Sequence, residues 1–310
     1  MKAQRWHWAA FNEFSFVAGM RFLFWLYRLC GRWPFRVALY PVLFWYLLTQ
    51  GAARRASLAY LRRVSGFIAI RSDMLGALAH FAAFAESILD KMLLWGGLYR
   101  FDKVDYFGVE RMNQEIRNKR GAVLVCSHLG NLELCRVLAQ QHSDLRLTVL
   151  VHTKHAPAFN RMLAALNPAS QLHLMQVTEM TPATAMLLSA KVETGEFVVI
   201  AGDRVPVASN PRTATANFLG AQAAFPVGPY ILAGVLQCPI FMLFSMRRGA
   251  RQEIHFELLR EQVSLPRKGR DEVLSALVAD YAARLEYHSL RAPLQWFNFY
   301  DFWHAESVTG

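Results

Sequence analysis

The chain has 310 residues, 54% of them apolar and 18% charged. That accommodates one large α/β domain or two smaller ones and excludes a disordered chain. Its 34 basic and 23 acidic residues give a formal charge of +11, with 13 of the basic and 4 of the acidic residues inside 1–100. The four cysteines, Cys30, Cys126, Cys135 and Cys238, show no paired spacing. This argues against a disulfide scaffold or a structural zinc site and fits a reducing compartment.

The first fifty residues hold fifteen Phe, Trp or Tyr, punctuated by Arg5, Arg21, Arg28, Arg32 and Arg36. The longest uncharged apolar run, Val37–Leu48, has twelve residues and contains Pro41. A spanning helix needs about 18 or more, so the run is short. Arg54, Arg55, Arg62, Arg63 and Arg71 follow. One reading places one or two helices in a membrane interface, aromatic side chains toward the acyl chains and arginines on anionic headgroups. The other makes them ordinary core or a partner-docking hairpin. Residues 72–99 carry apolar side chains at helical spacing and end at Gly96-Gly97.

From residue 101 short apolar runs alternate with helical stretches. Strands are predicted at 121–126, 145–151, 172–177, 197–201, 214–219, 239–245 and 252–258. Helices are predicted at 132–141, 157–166, 182–192, 226–236 and 271–287. The pattern implies an α/β fold with a mostly parallel central sheet, helices on both faces, and a membrane-associating helical segment in front. The division is 1–100 for the anchor and 101–310 for the catalytic domain.

Ligands of such sheets bind beyond the carboxyl ends of the strands. His128 lies there, in Ser127-His128-Leu129-Gly130-Asn131-Leu132-Glu133. On one helix, residues five apart diverge by about 140°. With His128 in a loop, Glu133 can fold back onto one ring nitrogen, leaving the other as a general base toward a hydroxyl. The bland alternative makes Asn131 a helix N-cap, Glu133 a dipole-facing carboxylate and His128 a backbone-bonded loop residue. Asp203 and Arg204 follow another strand. They suit hydroxyls and a phosphate or carboxylate, or form a surface pair in a turn. Pro226 and Gly228 shape a turn into a helix with free N–H groups, a place for an anion or a carbonyl oxygen, or simply a helix start. Arg161 is a second anion contact or a solvated side chain. His152 and His155 lack a third metal ligand nearby.

In this order, the aromatic basic segment, His128–Glu133 after a strand, Gly202-Asp203-Arg204, and Phe218-Leu219-Gly220 with Phe225-Pro226-Val227-Gly228-Pro229 resemble the lysophospholipid acyltransferase-like superfamily. Within it, the chain is similar to the bacterial lipid A biosynthesis acyltransferases, and also to relatives from aryl polyene gene clusters. The resemblance implies that His128 deprotonates an acceptor hydroxyl while Glu133 orients it. The alkoxide then attacks an acyl thioester on acyl carrier protein or coenzyme A. Two positions depart from the lipid A branch: Ser127 stands where Asn is usual, and Asp203-Arg204 where Asp-Gln is usual.

The expected partners are therefore an acyl carrier protein or acyl-CoA donor, an amphiphilic hydroxyl acceptor and an anionic membrane surface, with no nucleic acid and no cofactor or metal. The expected location is the cytoplasmic face of a bacterial inner membrane. A membrane-tethered glycosyltransferase is the first rival, although no DxD motif occurs. A non-catalytic scaffold for anionic lipid is the second.

Overall fold

The computed structural model describes residues 25–95, 97–99, 103–131, 133, 145–151, 172–176, 181–206 and 211–303. The helices expected at 132–141 and 157–166 lie outside them. Among the described residues, 25–30 are helical, and the helices α1 (Trp33–Thr49), α2 (Gly51–Val64) and α3 (Met74–Trp95) follow. In α2 the residues Ala56, Ser57, Tyr60, Leu61 and Val64 form one buried stripe at helical spacing. They leave Arg55 and Arg62 on the other faces. No helix among the described residues is long and apolar enough to cross a membrane.

The remainder is a mixed α/β unit. In chain order it comprises β1 (Val104–Phe107), α4 (Val109–Arg117), β2 (Val123–Cys126), β3 (Leu147–Val151), β4 (Leu172–Gln176), α5 (Pro182–Glu193) and β5 (Phe197–Ala201). Then follow β6 (Thr213–Phe218), β7 (Ala221–Pro226), α6 (Gly228–Leu236), β8 (Ile240–Arg248), β9 (Arg251–Arg260) and α7 (Arg270–Arg291). The central sheet has the order β1-β9-β8-β2-β5-β3-β4. Strands β2, β3, β4, β5 and β8 run parallel, while the β8–β9 pair is antiparallel and β1 follows β9.

Side chains alternate across the sheet. Val123 and Val125 enter a core shared with α2, α6 and α7, whereas Leu124 and Cys126 face a second core with Met112 of α4. Both faces are buried, which explains why β2 reads as an unbroken apolar run. Strand β1 and helix α4 were not anticipated. Their apolar residues are too few for a periodic signal, and α4 buries only Met112 and Glu115. The start expected at Pro226 is corrected. Pro226 ends β7, paired with Thr213, and the proline in the first turn of α6 is Pro229.

The helices and the α/β unit share one core. Tyr60, Leu61 and Val64 of α2 belong with Trp296 and the sheet residues. Helix α1 packs Leu43 and Leu47 on Ala77, Phe81 and Ala85 of α3, and Arg32 and Arg36 pair with Glu86 and Asp90. Its other side carries Trp33, Val37, Tyr40, Phe44 and Leu48, all exposed, at spacings of four, three, four and four.

At the junction sits His80 of α3, with no exposed surface. Its Nδ1 is 2.9 Å from Ser57 Oγ and its Nε2 3.0 Å from the Trp296 carbonyl. Burial pushes this ring down to about 4, against the opposing pull of the carbonyl. An unfolded histidine takes a proton near pH ~6.5, and the folded ring resists until about 4. Stability is therefore full above the first value and is lost as pH falls to the second, by roughly 3 kcal/mol in all. His255 and His288 are also pushed down by burial. Thermal melts between pH 7 and 4 should fall steeply for the native chain and less steeply for His80→Gln. Equal slopes would show that His80 does not resist protonation.

Candidate active site

Strands β2 and β5 are parallel neighbours, with Cys126 and Ala201 as register partners. His128 and Asp203 each lie two residues past those ends, so the topology delivers them side by side. Gly202 makes the approach possible: a Cβ there would fall 2.4 Å from Val125 Cγ1. The Gly202 N–H and the Tyr281 hydroxyl both donate to the Cys126 carbonyl at 2.8 Å, closing the ends of the strands.

The His128 Nδ1 is 2.7 Å from Asp203 Oδ1. The His128 backbone N–H donates to Asp203 Oδ2 at 2.7 Å, the Trp296 indole N–H at 3.0 Å and the Asn298 amide at 3.3 Å. Asp203 has no exposed surface, whereas the His128 side chain is 28% exposed. Burial alone would raise the Asp203 carboxyl. The His128 charge, the His128 ring and backbone bonds and the Trp296 bond outweigh it, so Asp203 sits below its ordinary value. An ionised carboxylate only accepts. Nδ1 therefore carries the proton, and Nε2 keeps a lone pair for a substrate.

This corrects the pairing expected from spacing. The carboxylate on the ring is Asp203, not Glu133. Glu133 instead follows Asn131, whose Oδ1 accepts the Glu133 N–H at 3.1 Å, the cap geometry of the bland alternative. Its charge acts on Lys91, opposing the burial that lowers Lys91. Asp203 is likewise corrected, because a fully enclosed carboxylate with four donors has no room for acceptor hydroxyls.

Ser127 is fully buried, and its Oγ accepts from the Leu129 N–H at 3.3 Å, so it is not open to substrate. Asn131 is 3% exposed and its Nδ2 has no partner among the described residues. Arg204 is exposed, yet its Nε donates to Asn298 Oδ1 at 2.6 Å and one Nη to the Phe297 carbonyl at 2.8 Å. Only part of its fork remains for an anion. Pro226 is buried at the end of the β6–β7 hairpin, one residue before the N-cap Val227 of α6, so it leads into that helix without belonging to it. Gly228 opens α6 with free space where a side chain would be. Arg161, His152 and His155 lie outside the described residues.

Sequence reasoning missed the segment 295–298. Phe297 N–H donates to the His128 carbonyl at 2.9 Å and Gly130 N–H to the Gln295 carbonyl at 2.8 Å, so Leu129 and Trp296 form an antiparallel bridge. Gly130 is irreplaceable there, with φ +65° and the site of a Cβ only 1.9 Å from the Ser245 carbonyl.

Among the described residues one group has metal-ligand chemistry: His255, Glu257 and His288, with ligand atoms within 4.8 Å of one another. Arg284 already grips both Glu257 oxygens at 2.5 and 2.6 Å, and His288 Nε2 lies 2.8 Å from one of them. Arg291 stands 3.4 and 3.5 Å from the two rings. Burial would raise Glu257, but His288 and Arg284 bring it down to about 2. The protein's own cations occupy this donor set, so it ties α7 to β9 and does not suit a metal.

The chain belongs to the bacterial lipid A biosynthesis acyltransferase family, whose family model matches residues 99–304. No curated protein matches its sequence. It is accordingly an acyltransferase, with an acyl donor and a lipid acceptor.

Replacing Asp203 by Asn keeps the shape but removes the negative charge held against the His128 ring. The acyl-transfer rate should fall by on the order of 10²–10⁴. Steady-state kinetics of a folded Asp203→Asn variant at native rates would refute the pairing.

Proposed function

We propose that the protein moves a fatty acyl chain from an acyl thioester to a hydroxyl of a lipid or glycolipid, with His128 as general base and Asp203 holding it. The 2.7 Å contact between Nδ1 and Oδ1 carries this reading. The His128 Nε2 takes the hydroxyl proton as the acceptor oxygen attacks the thioester carbonyl. The C–S bond then breaks, and the proton passes from the imidazolium to the departing thiolate. The products are an ester and a free thiol. The thioester supplies the activation, so neither metal nor organic cofactor enters the scheme.

The donor is a carrier-protein or coenzyme A thioester. An acidic carrier surface suits a chain of net charge +11. His128→Ala should lose on the order of 10²–10⁴ in turnover, and Glu133→Gln less than Asp203→Asn. Native turnover by folded His128→Ala would reject the mechanism. A Glu133→Gln loss equal to that of Asp203→Asn would return the orienting role to Glu133.

The enzyme works, in this reading, on the cytoplasmic face of a bacterial inner membrane. Support comes from the exposed aromatic side of α1, where Trp33 and Trp45 are 72% and 67% exposed, and from the basic side chains around it. Deleting residues 1–50 would also strip Leu43 and Leu47 from the core and leave Glu86 and Asp90 without Arg32 and Arg36, so substitution is the cleaner test. Trp33→Ser with Phe44→Ser and Trp45→Ser should weaken co-sedimentation with phosphatidylglycerol vesicles while the thermal midpoint holds. Undiminished sedimentation would count against interfacial docking by α1.

A further inference from the structure

The β8–β9 turn emerges at the same sheet edge as the loop bearing His128, because β8 runs parallel to β2 with Leu243 opposite Cys126. Next to this turn is a cleft of about 190 Å³, lined by Arg32, Asp90, Tyr99, Lys103, Arg247 and Arg251 among others. Four cationic side chains from three parts of the chain converge on it, facing one lining carboxylate.

These cations are not equally available. Arg32 is committed to Asp90 and Glu86, and Arg251 grips both oxygens of Asp105 at 2.5 Å. Arg247 reaches a carboxylate, Glu86, only at 3.9 Å, and its Nε donates weakly to the Gly249 carbonyl at 3.3 Å. Its backbone is pinned instead, with Gln295 bonded to both its N–H and its carbonyl at 2.7 Å. Lys103 is exposed and makes no ion pair or hydrogen bond among the described residues. Arg36 also pairs with Glu86, so five cations stand against Asp90, Glu86 and Asp105, and two positive charges are left over, on the side of Lys103 and Arg247.

A second cleft of about 230 Å³ shares Asp90, Arg247 and Gln252 with the first and reaches Gly130, Asn131 and Phe297. Its wall includes Ala83 and Leu294. An amphiphile can thus set a charged group in the outer cleft while its body runs along apolar wall toward the catalytic loop. A guanidinium and an ammonium lining one cleft suit the oxygens of a phosphate, the first as a planar fork and the second as a point charge.

We infer that the cleft bounded by Lys103 and Arg247 is a phosphate subsite for a substrate of the acyl transfer proposed above. The inference rests on that reading for the identity of the ligand as a substrate. The shared chemistry is a phosphate ester, and two sources present it: the headgroup of the lipid acceptor and the phosphates of the coenzyme A or carrier arm on the donor.

The test is equilibrium binding by the full chain in a neutral detergent, read by titration calorimetry without turnover. The probes are dihexanoyl phosphatidate, coenzyme A and uncharged dihexanoylglycerol. The variants are Lys103→Ala with Arg247→Gln, and a control, Arg267→Ala with Lys268→Ala, that removes the same charge from the loop before α7. The cleft variant should lose roughly tenfold or more in affinity for at least one phosphate probe and nothing for dihexanoylglycerol. Loss confined to phosphatidate identifies the acceptor headgroup as the source; loss confined to coenzyme A identifies the donor. The subsite is overturned if the native chain binds neither phosphate probe, if the cleft variant matches the native chain, or if the control variant loses as much. Because no chemistry is read, such a failure leaves the His128 mechanism to stand or fall on its own rates.

Discussion

A carboxylate with no contact with water survives in a protein interior only when donors replace its hydration shell. Asp203 meets that condition with four: the ring and backbone nitrogens of His128, the indole of Trp296 and the amide of Asn298. The same contacts that make its burial tolerable fix the imidazole in one tautomer and one orientation. Folding and the chemistry proposed for His128 thus draw on a single interaction. The sheet places its two ends, since His128 and Asp203 leave adjacent parallel strands at equal offsets.

The helices and the segment 295–298 act as a brace on this arrangement. Trp296 has three attachments. Its backbone bridges Leu129, its carbonyl accepts from His80, and its indole donates to Asp203. Around it, Tyr60, Phe218, Phe302 and Trp303 pack with ring centroids 4.8 to 6.0 Å away. Aromatic contacts of this kind contribute roughly 0.5–1.5 kcal/mol each beyond burial. The aromatic C-terminal run is therefore structural support for the loop that carries His128, and α2 and α3 are part of the same body.

Local pattern made much of this legible. Strands β2, β5 and β8 were readable from largely apolar runs, because burial on both faces demands them. The position of His128 followed from the rule that chemistry lies beyond strand ends. The acid partner was not readable, since it depends on which strands are neighbours. Asp203 is 75 residues from His128, and no periodicity reports that β5, rather than β3, lies beside β2. Glu133 was nearer in sequence, and the resemblance of the His128–Glu133 block pointed to it as well. Strand β7 was hidden by its alanines and by Pro226, tolerable at the end of a two-stranded hairpin. The brace at 295–298 had a composition signal, its density of aromatics, but nothing local to say which loop it would grip.

The brace also sets an order of events during synthesis. Trp296 follows Asp203 by 93 residues, and domains assemble as the chain leaves the ribosome at about 5–20 residues per second. For several seconds a nascent chain holds both His128 and Asp203 while lacking the indole and amide that steady them. A message truncated shortly before codon 296 would encode both partners of the dyad yet leave the carboxylate two donors short.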